Sequence, residues 1–318
     1  MVVSQCWMEA IGKPSISFPA PCTRCRVPLS GYLTMADRPS IAQTHPRIGI
    51  AFSSGFFGFF AHAGFLAAVR ESGIKPIAYA GASSGAIVAA MAASGMSAPA
   101  IKEMLLSLKK SDFWDPDPWP SVISHALRLF RGYTGYLRGD GFARLLARLP
   151  ARTFEECDTP LAISATDLTH KKEVIFTKGN LLQAIQASGS VPVLFKPTEI
   201  SGALCCDGGI TGKAPVEALS DLCGLDRIVV HFIASDNVKE SEQAFLKKRF
   251  TPWHIQHLAV NIAREKAYQK EVELVTSRGV EVIEVKTNAP SVSPGKLERG
   301  PRAYEAARTT ALKILRVR

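Results

Sequence analysis

Ser83 stands at the centre of Gly81-Ala82-Ser83-Ser84-Gly85, between a short apolar run from Pro76 to Ala80 and a small-residue run from Ala86 to Ala93. Strand, sharp turn and helix with a serine at the apex is the order of a nucleophile elbow. Gly81 and Gly85 allow a turn too tight for a Cβ on either side, and the helix that follows brings free N–H groups and a positive dipole end beside the hydroxyl. The pentapeptide arises by chance in a chain of this length with probability of roughly 0.1, so its flanks carry more weight than its letters. A serine hydroxyl also needs a base within hydrogen-bond reach. Asp207, in Cys205-Cys206-Asp207-Gly208-Gly209-Ile210, closes a strand-like run and precedes two glycines that let another backbone approach. His231, His254 and His257 lie downstream, with Asp207 or Asp226 as acids, and would follow the Ser–acid–His order of an α/β-hydrolase. His231 falls inside an apolar strand, as core histidines do. His254 and His257 open a predicted helix, where exposure is the ordinary state.

The elements that must hold these groups read as alternating strands and helices. Arg47–Phe52 is a buried strand, Ser53–Gly58 a glycine-bearing turn and Phe59–Ser72 a helix; strand, elbow and helix follow to Gly95. The spacing predicts helices over 98–110 and 140–149, with an aromatic, proline-rich loop over 112–120 between them. Leu161–Thr166 and Glu173–Thr177 alternate as a strand pair. A short helix over 180–188 and strands at 203–206, 227–234 and 281–285 come next. Helices over 252–277 and 302–315 complete the pattern. Such an order predicts an α/β fold, a three-layer α/β/α sandwich on a mostly parallel central sheet. Residues 46–318 show no internal repeat or linker and are expected to form one domain.

Residues 1–45 differ. They hold four prolines before Leu29, two acidic residues and little periodicity, and are expected to be a poorly ordered extension. They lack the charged and apolar regions of a secretory signal. Met35 offers a second natural start, and residues 1–34 are expected to be dispensable. Cys22-Thr23-Arg24-Cys25 is a lone CxxC with no second ligand pair nearby, so no metal site is expected. Seven cysteines, two of them adjacent in an apolar run, fit a reducing, cytoplasmic setting better than a disulfide framework.

The 318 residues are 47% hydrophobic with a net charge of +10, and the positive excess gathers late: sixteen Lys/Arg against nine Asp/Glu from Lys239 onward. No nucleic-acid motif accompanies it, and no nucleic-acid partner is expected. An anionic membrane surface suits it better. No window is long and apolar enough for a transmembrane helix. Phe52, Phe56, Phe57, Phe59 and Phe60 cluster around the first loop; two are expected to face the core and the rest to line an acyl groove. Phe113, Trp114 and Trp119 are expected to form a lid or an interfacial wedge.

Four segments, in order, give the chain its resemblance to the patatin-like phospholipases. They are the loop leading to Ala61-His62-Ala63-Gly64, the elbow at 81–85, Ala187-Ser188-Gly189-Ser190-Val191-Pro192 with Phe195-Lys196-Pro197, and Asp207-Gly208-Gly209. Ala165-Thr166-Asp167 adds a smaller match. The resemblance covers residues 47–235 well. It implies a Ser–Asp dyad without histidine or cofactor: Ser83 attacks a lipid ester, Asp207 takes and returns the proton, and water hydrolyses the acyl-enzyme. An aspartate of ordinary pKa, near 3.9, is a feeble base, so the mechanism asks for a raised one. The family's first loop carries three glycines, a variable residue, Arg or Lys, and glycine. Anchored on His62 and Gly64, Ser53-Ser54-Gly55 stand at the three glycines with Gly58 at the basic position, and a one-residue shift keeps Gly58 as the final glycine; the basic residue is missing in either alignment. Backbone N–H groups at Gly55, Phe56 and Phe57 are expected to form the oxyanion hole. The expected activity is hydrolysis of phospholipid or lysophospholipid esters at a peripheral membrane surface. Its rivals are a histidine-dependent carboxylesterase and an inactive lipid-binding relative.

Overall fold

The computed structural model describes residues 46–129, 131–235 and 252–316. The expectations for residues 1–45, including Met35 and the Cys22/Cys25 pair, lie outside them.

Strand alternation builds the sheet. In β1 (Ile48–Phe52), Ile48, Ile50 and Phe52 face one core while Ala51 faces the other. Tyr79 of β2 (Ala78–Ala82) joins the first core, and Ala78 and Ala80 the second. β4 (Leu161–Asp167) divides likewise, with Leu161 and Ile163 opposed to Ala162. Branched and aromatic side chains fill one face and alanines the other, so the two helical layers approach to different depths. α1 (Phe59–Glu71), α2 (Ser84–Ala93) and α3 (Ala98–Leu106) cover the first face. The second is covered by α8 (Val216–Leu222) and α9 (Pro252–Ser277), through Val216, Leu219, Tyr268 and Val275. The terminal helix α10 (Gly300–Leu315) packs with α1 through Ala303, Tyr304, Ala307 and Ala311.

The remaining strands are β3 (Gly135–Leu137), β5 (Lys172–Phe176), β6 (Val193–Phe195), β7 (Thr198–Ile200), β8 (Ala203–Cys206), β9 (Arg227–Ser235) and β10 (Glu281–Ala289). The sheet runs β10-β9-β1-β2-β4-β8-β7, with β5 also on β4. Pairings from β10 to β4 are parallel; β5, β8 and β7 join antiparallel. This is the three-layer arrangement the sequence predicts, and the antiparallel end is what brings Asp207 to the site.

Several boundaries differ. The helix predicted over 98–110 breaks at Ser107, and a short α4 (Lys110–Phe113) follows. The predicted loop at 112–120 holds the end of α4 and the start of α5 (Trp119–Leu127). Prolines 116, 118 and 120 read as breakers, yet Pro118 is the N-cap and Pro120 sits in the first turn, where proline is well tolerated. α6 (Asp140–Leu146) is shorter than predicted, α7 (Leu181–Ser188) matches, and α8, β3, β6 and β7 were not anticipated.

His62 and His231 form a buried pair beneath the first loop. The Nε2–H of His62 donates to Ser53 O at 2.9 Å, which leaves its Nδ1 to accept from the Nδ1–H of His231 at 2.7 Å. His231 Nε2 then accepts from the Thr287 hydroxyl at 2.8 Å. The chain closes only with both rings neutral. Burial drives both far below the ordinary histidine value. Unfolded histidines bind protons below about pH 6.5 and these do not, so their contribution is complete above that pH and fades as pH falls beneath it. His62→Gln is therefore expected to flatten the fall in urea midpoint between pH 6.5 and 5. An unchanged slope would show that the pair titrates freely.

Candidate active site

β4 sits between the two strands that deliver Ser83 and Asp207. Ala82 of β2 pairs with Ser164, so Ser83 lies level with Ala165. Cys206 of β8 pairs with Thr166, and because β8 runs antiparallel, Asp207 also arrives level with Ala165. The two side chains, 124 residues apart in sequence, meet there: Ser83 Oγ donates to Asp207 Oδ2 at 2.6 Å, and both residues are buried.

Each is held from several sides. Ser83 has φ 54° and ψ −122°, a conformation that costs a non-glycine residue of order 1–3 kcal/mol and persists only where the surroundings fix it. Its N–H donates to Ser188 Oγ at 2.8 Å. Asp207 N–H donates to Ser190 O at 3.0 Å, and the Thr166 hydroxyl donates to Asp207 O at 2.8 Å. The Ala187–Pro192 segment thus fixes both partners through its two serines. Gly209 N–H donates to Asp207 Oδ1 at 2.6 Å. The glycines serve close approach: a Cβ on Gly85 would lie 2.5 Å from Phe52 O, and one on Gly208 2.3 Å from Ser164 O. Gly81 abuts the backbone of Gly85, and Gly209 abuts Ser54.

Burial raises the Asp207 carboxyl to about 6, against the pull of the Ser83 and Gly209 hydrogen bonds and the Arg264 guanidinium. A base near 6 remains ionised at neutral pH and accepts a proton more readily than a free aspartate.

The first loop is a turn closed by Gly58 N–H donating to Gly55 O at 3.0 Å. Phe57 takes φ 53° in it, where glycine would be easier. Among the described residues the N–H groups of Gly55, Phe56 and Phe57 donate to no acceptor, and all three residues line the same cleft as Ser83. That cleft opens to solvent and has apolar walls that include Met91, Met104, Leu105, Phe113, Phe142 and Phe195. Of the five clustered phenylalanines, Phe52 and Phe60 sit in the core and Phe56, Phe57 and Phe59 line the cleft. Phe113 is a buried part of its wall, packed against Phe57 at 5.4 Å, and Trp119 is 76% exposed on α5.

Among the described residues no histidine bonds to Ser83 or Asp207. His231 is committed to His62 and Thr287, and the side chains of His254 and His257 lie outside the described ones. Among the described residues no three His, Cys, Asp or Glu side chains group as metal ligands do, and no helix there is long and apolar enough to cross a membrane.

The site also contains groups that sequence reasoning missed. Ser84 lines the cleft, and its Oγ lies beside Gly58, buried and without a hydrogen-bond partner among the described residues. Arg264 of α9 reaches in from beyond the motifs, its Nη1 donating to Ser54 Oγ at 3.2 Å and to Gly209 O at 3.0 Å. A signal for it existed: Arg264 shares the i, i+4, i+8, i+11 stripe of α9 with Tyr268, Val272 and Val275, which face the core.

Known proteins resemble the chain in sequence and, separately, in fold. The chain is 30% identical over 176 residues to an uncharacterized NTE family protein of Mycobacterium bovis, covering 55% of this chain and 46% of the relative. An uncharacterized NTE family protein of Mycobacterium tuberculosis is 28% identical over 174 residues, 54% of this chain and 28% of its own length. The chain thus spans about half the length of the first relative and less of the second. VipD from Legionella pneumophila shares the fold, with a TM-score of 0.50 and 16% identity over 86% of this chain and 67% of VipD. Residues 50–220, more than half of the 318, match the patatin-like phospholipase family, and the chain belongs to that family.

Proposed function

We propose that this protein hydrolyses the carboxylic esters of phospholipids or lysophospholipids at a lipid surface, with Ser83 as nucleophile and Asp207 as its base. The observation that supports this most strongly is the 2.6 Å hydrogen bond from Ser83 Oγ to Asp207 Oδ2 on the wall of an apolar cleft. Attack by Ser83 Oγ on the ester carbonyl sends its proton to Asp207 Oδ2. Collapse of the tetrahedral intermediate expels the alcohol, which takes that proton and leaves an acyl-enzyme. Water, deprotonated by Asp207, then releases the fatty acid. The N–H groups of Gly55, Phe56 and Phe57, with Ser84 and the α2 N-terminus, are the donors available to the oxyanion. One such donor contributes ~3 kcal/mol. The apolar cleft favours a long acyl chain, each buried CH₂ adding about 0.8 kcal/mol. A lipid-extract screen read by mass spectrometry tests the assignment. Free fatty acid should appear with wild type and not with Ser83→Ala. Equal release from both would dismiss Ser83 as the nucleophile.

The oxyanion loop has its own test. A Cβ at Gly55 meets ordinary contacts at 3.6 Å and beyond, but one at Gly58 would lie 2.5 Å from Ile233 Cδ1 and 3.0 Å from Ser84 Oγ. Gly58, not Gly55, is thus the tighter position, where a side chain must displace the end of Ile233 and crowd Ser84 Oγ. Gly58→Val is expected to lower kcat about 10²- to 10³-fold, the loss typical of one misplaced oxyanion donor, while Gly55→Ala stays within about tenfold of wild type. Steady-state kinetics on a soluble ester read the difference, and equal losses would detach the loop from catalysis.

A further inference from the structure

α5 is turned inside out for a helix in water. Trp119, Ile123 and Leu127, at i, i+4 and i+8, form one apolar stripe exposed by 76%, 56% and 82%, and Leu129 beyond it is 82% exposed. The half-buried side is carried by Ser121, Val122 and His125, and no residue of the helix is buried. From Pro118 to Arg138 the chain carries Arg128, Arg131 and Arg138 and no acidic residue. Arg128 and Arg131 are exposed and pair with no carboxylate among the described residues. Both ends of this segment are rooted in the wall of the cleft: Phe113 precedes it, and β3 pairs with β6, whose Phe195 lines the cleft.

Resting on the lipid-ester reading above, we propose that α5 docks this protein on an anionic lipid surface. Trp119, Ile123 and Leu127 enter the boundary between headgroups and acyl chains, and Arg128 and Arg131 meet lipid phosphates. The chemistry is that of an interfacial amphipathic helix, in which apolar insertion and attraction to anionic lipid add together. A lipid surface fits better than a protein partner because the segment combines an apolar stripe with cations that pair with no carboxylate among the described residues, between chain stretches that line the cleft, and a lipid substrate enters from such a surface. The test is co-sedimentation with phosphatidylcholine vesicles with and without phosphatidylserine, alongside turnover of a short-chain soluble ester. Trp119→Ser/Ile123→Ser/Leu127→Ser should weaken vesicle binding at least tenfold at any salt concentration and leave soluble turnover within about twofold. Arg128→Gln/Arg131→Gln should abolish only the preference for anionic vesicles. Vesicle binding by the triple variant equal to wild type overturns the proposal. So does a wild-type dimer that the triple variant converts to monomer without loss of vesicle binding. Failure to hydrolyse any ester, with the binding loss intact, would overturn the hydrolase reading and leave the docking surface standing.

Arg264 carries a second, independent inference. α9 lies outside the region matched to the family, yet its guanidinium bridges the first loop, through Ser54, and the turn that holds Asp207, through Gly209. Among the described residues its Nε is buried without a hydrogen-bond partner. The geometry points to Arg264 as the positioning cation of this site, supplied from α9 where the loop has no basic residue. The groups facing Asp207 are the Ser83 hydroxyl, the Gly209 N–H, the neutral Cys206 thiol and this guanidinium. The guanidinium favours the carboxylate, as an opposite charge does, and is the smallest of the three influences that hold Asp207 down. In Arg264→Met the acid limb of kcat/KM should move to higher pH and kcat should fall at least tenfold; Arg264→Lys should return the limb toward wild type. Circular dichroism confirms folding. An unmoved limb in folded Arg264→Met, or a Lys variant no better than Met, would reduce Arg264 to a structural contact.

Discussion

Ser83→Ala and Asp207→Asn are each expected to lower kcat on a short-chain ester by about 10⁴-fold or more, and the double variant by no more than the worse single one. Members of a nucleophile–base unit fail together, so their losses do not add. Removing Ser83 Oγ leaves nothing to form the acyl-enzyme. Asp207→Asn keeps an oxygen near Ser83 but cannot accept the proton across the 2.6 Å contact. Residual turnover would come from the donors of the first loop acting on bound water. His231→Gln, by contrast, should disturb stability more than chemistry, because its ring is committed to His62 and Thr287. A folded His231 variant as inactive as Ser83→Ala would favour the histidine-dependent alternative.

kcat/KM is expected to fall tenfold per pH unit below about pH 6 and to level off above it, because the proposed base Asp207 must be a carboxylate and burial raises it to about 6. An unfolded aspartate titrates near 3.9. The native state therefore binds the extra proton between these values, and stability from this group declines as pH rises through the window. At pH 7 the buried carboxylate costs ~2–3 kcal/mol relative to its neutral form. Asp207→Asn should thus melt at or above the wild-type temperature at pH 7, with the gap closing toward pH 4. A variant both inactive and more stable is the signature of an active-site group kept against the interest of the fold. An acid limb near pH 4 would mean that Asp207 is solvated during turnover.

The elements around Ser83 and Asp207 were legible because they are local. Alternation in Ile48–Phe52 and Ala78–Ala82, the small-residue helix after Ser84 and the paired glycines after Asp207 each write their geometry into a few consecutive residues. The meeting of Ser83 with Asp207 was not readable from spacing. It depends on β8 running antiparallel beside β4, and only the family resemblance supplied it in advance. Ser188 and Ser190 were seen as motif letters, but their work on two backbone N–H groups needed the register. α5 was hidden by prolines that start a helix as readily as they end one. Arg264 was hidden because long-range packing, not its neighbours in sequence, decides what a core-facing arginine reaches.

Mass spectrometry after treatment with a fluorophosphonate probe tests the central claim most directly, since the probe traps a serine activated by its neighbours and needs no guess about the lipid. The account predicts one adduct on wild type, mapped to the peptide containing Ser83, absent from Ser83→Ala and formed far more slowly with Asp207→Asn. Labelling of another residue, or equal labelling rates in wild type and folded Asp207→Asn, would contradict it.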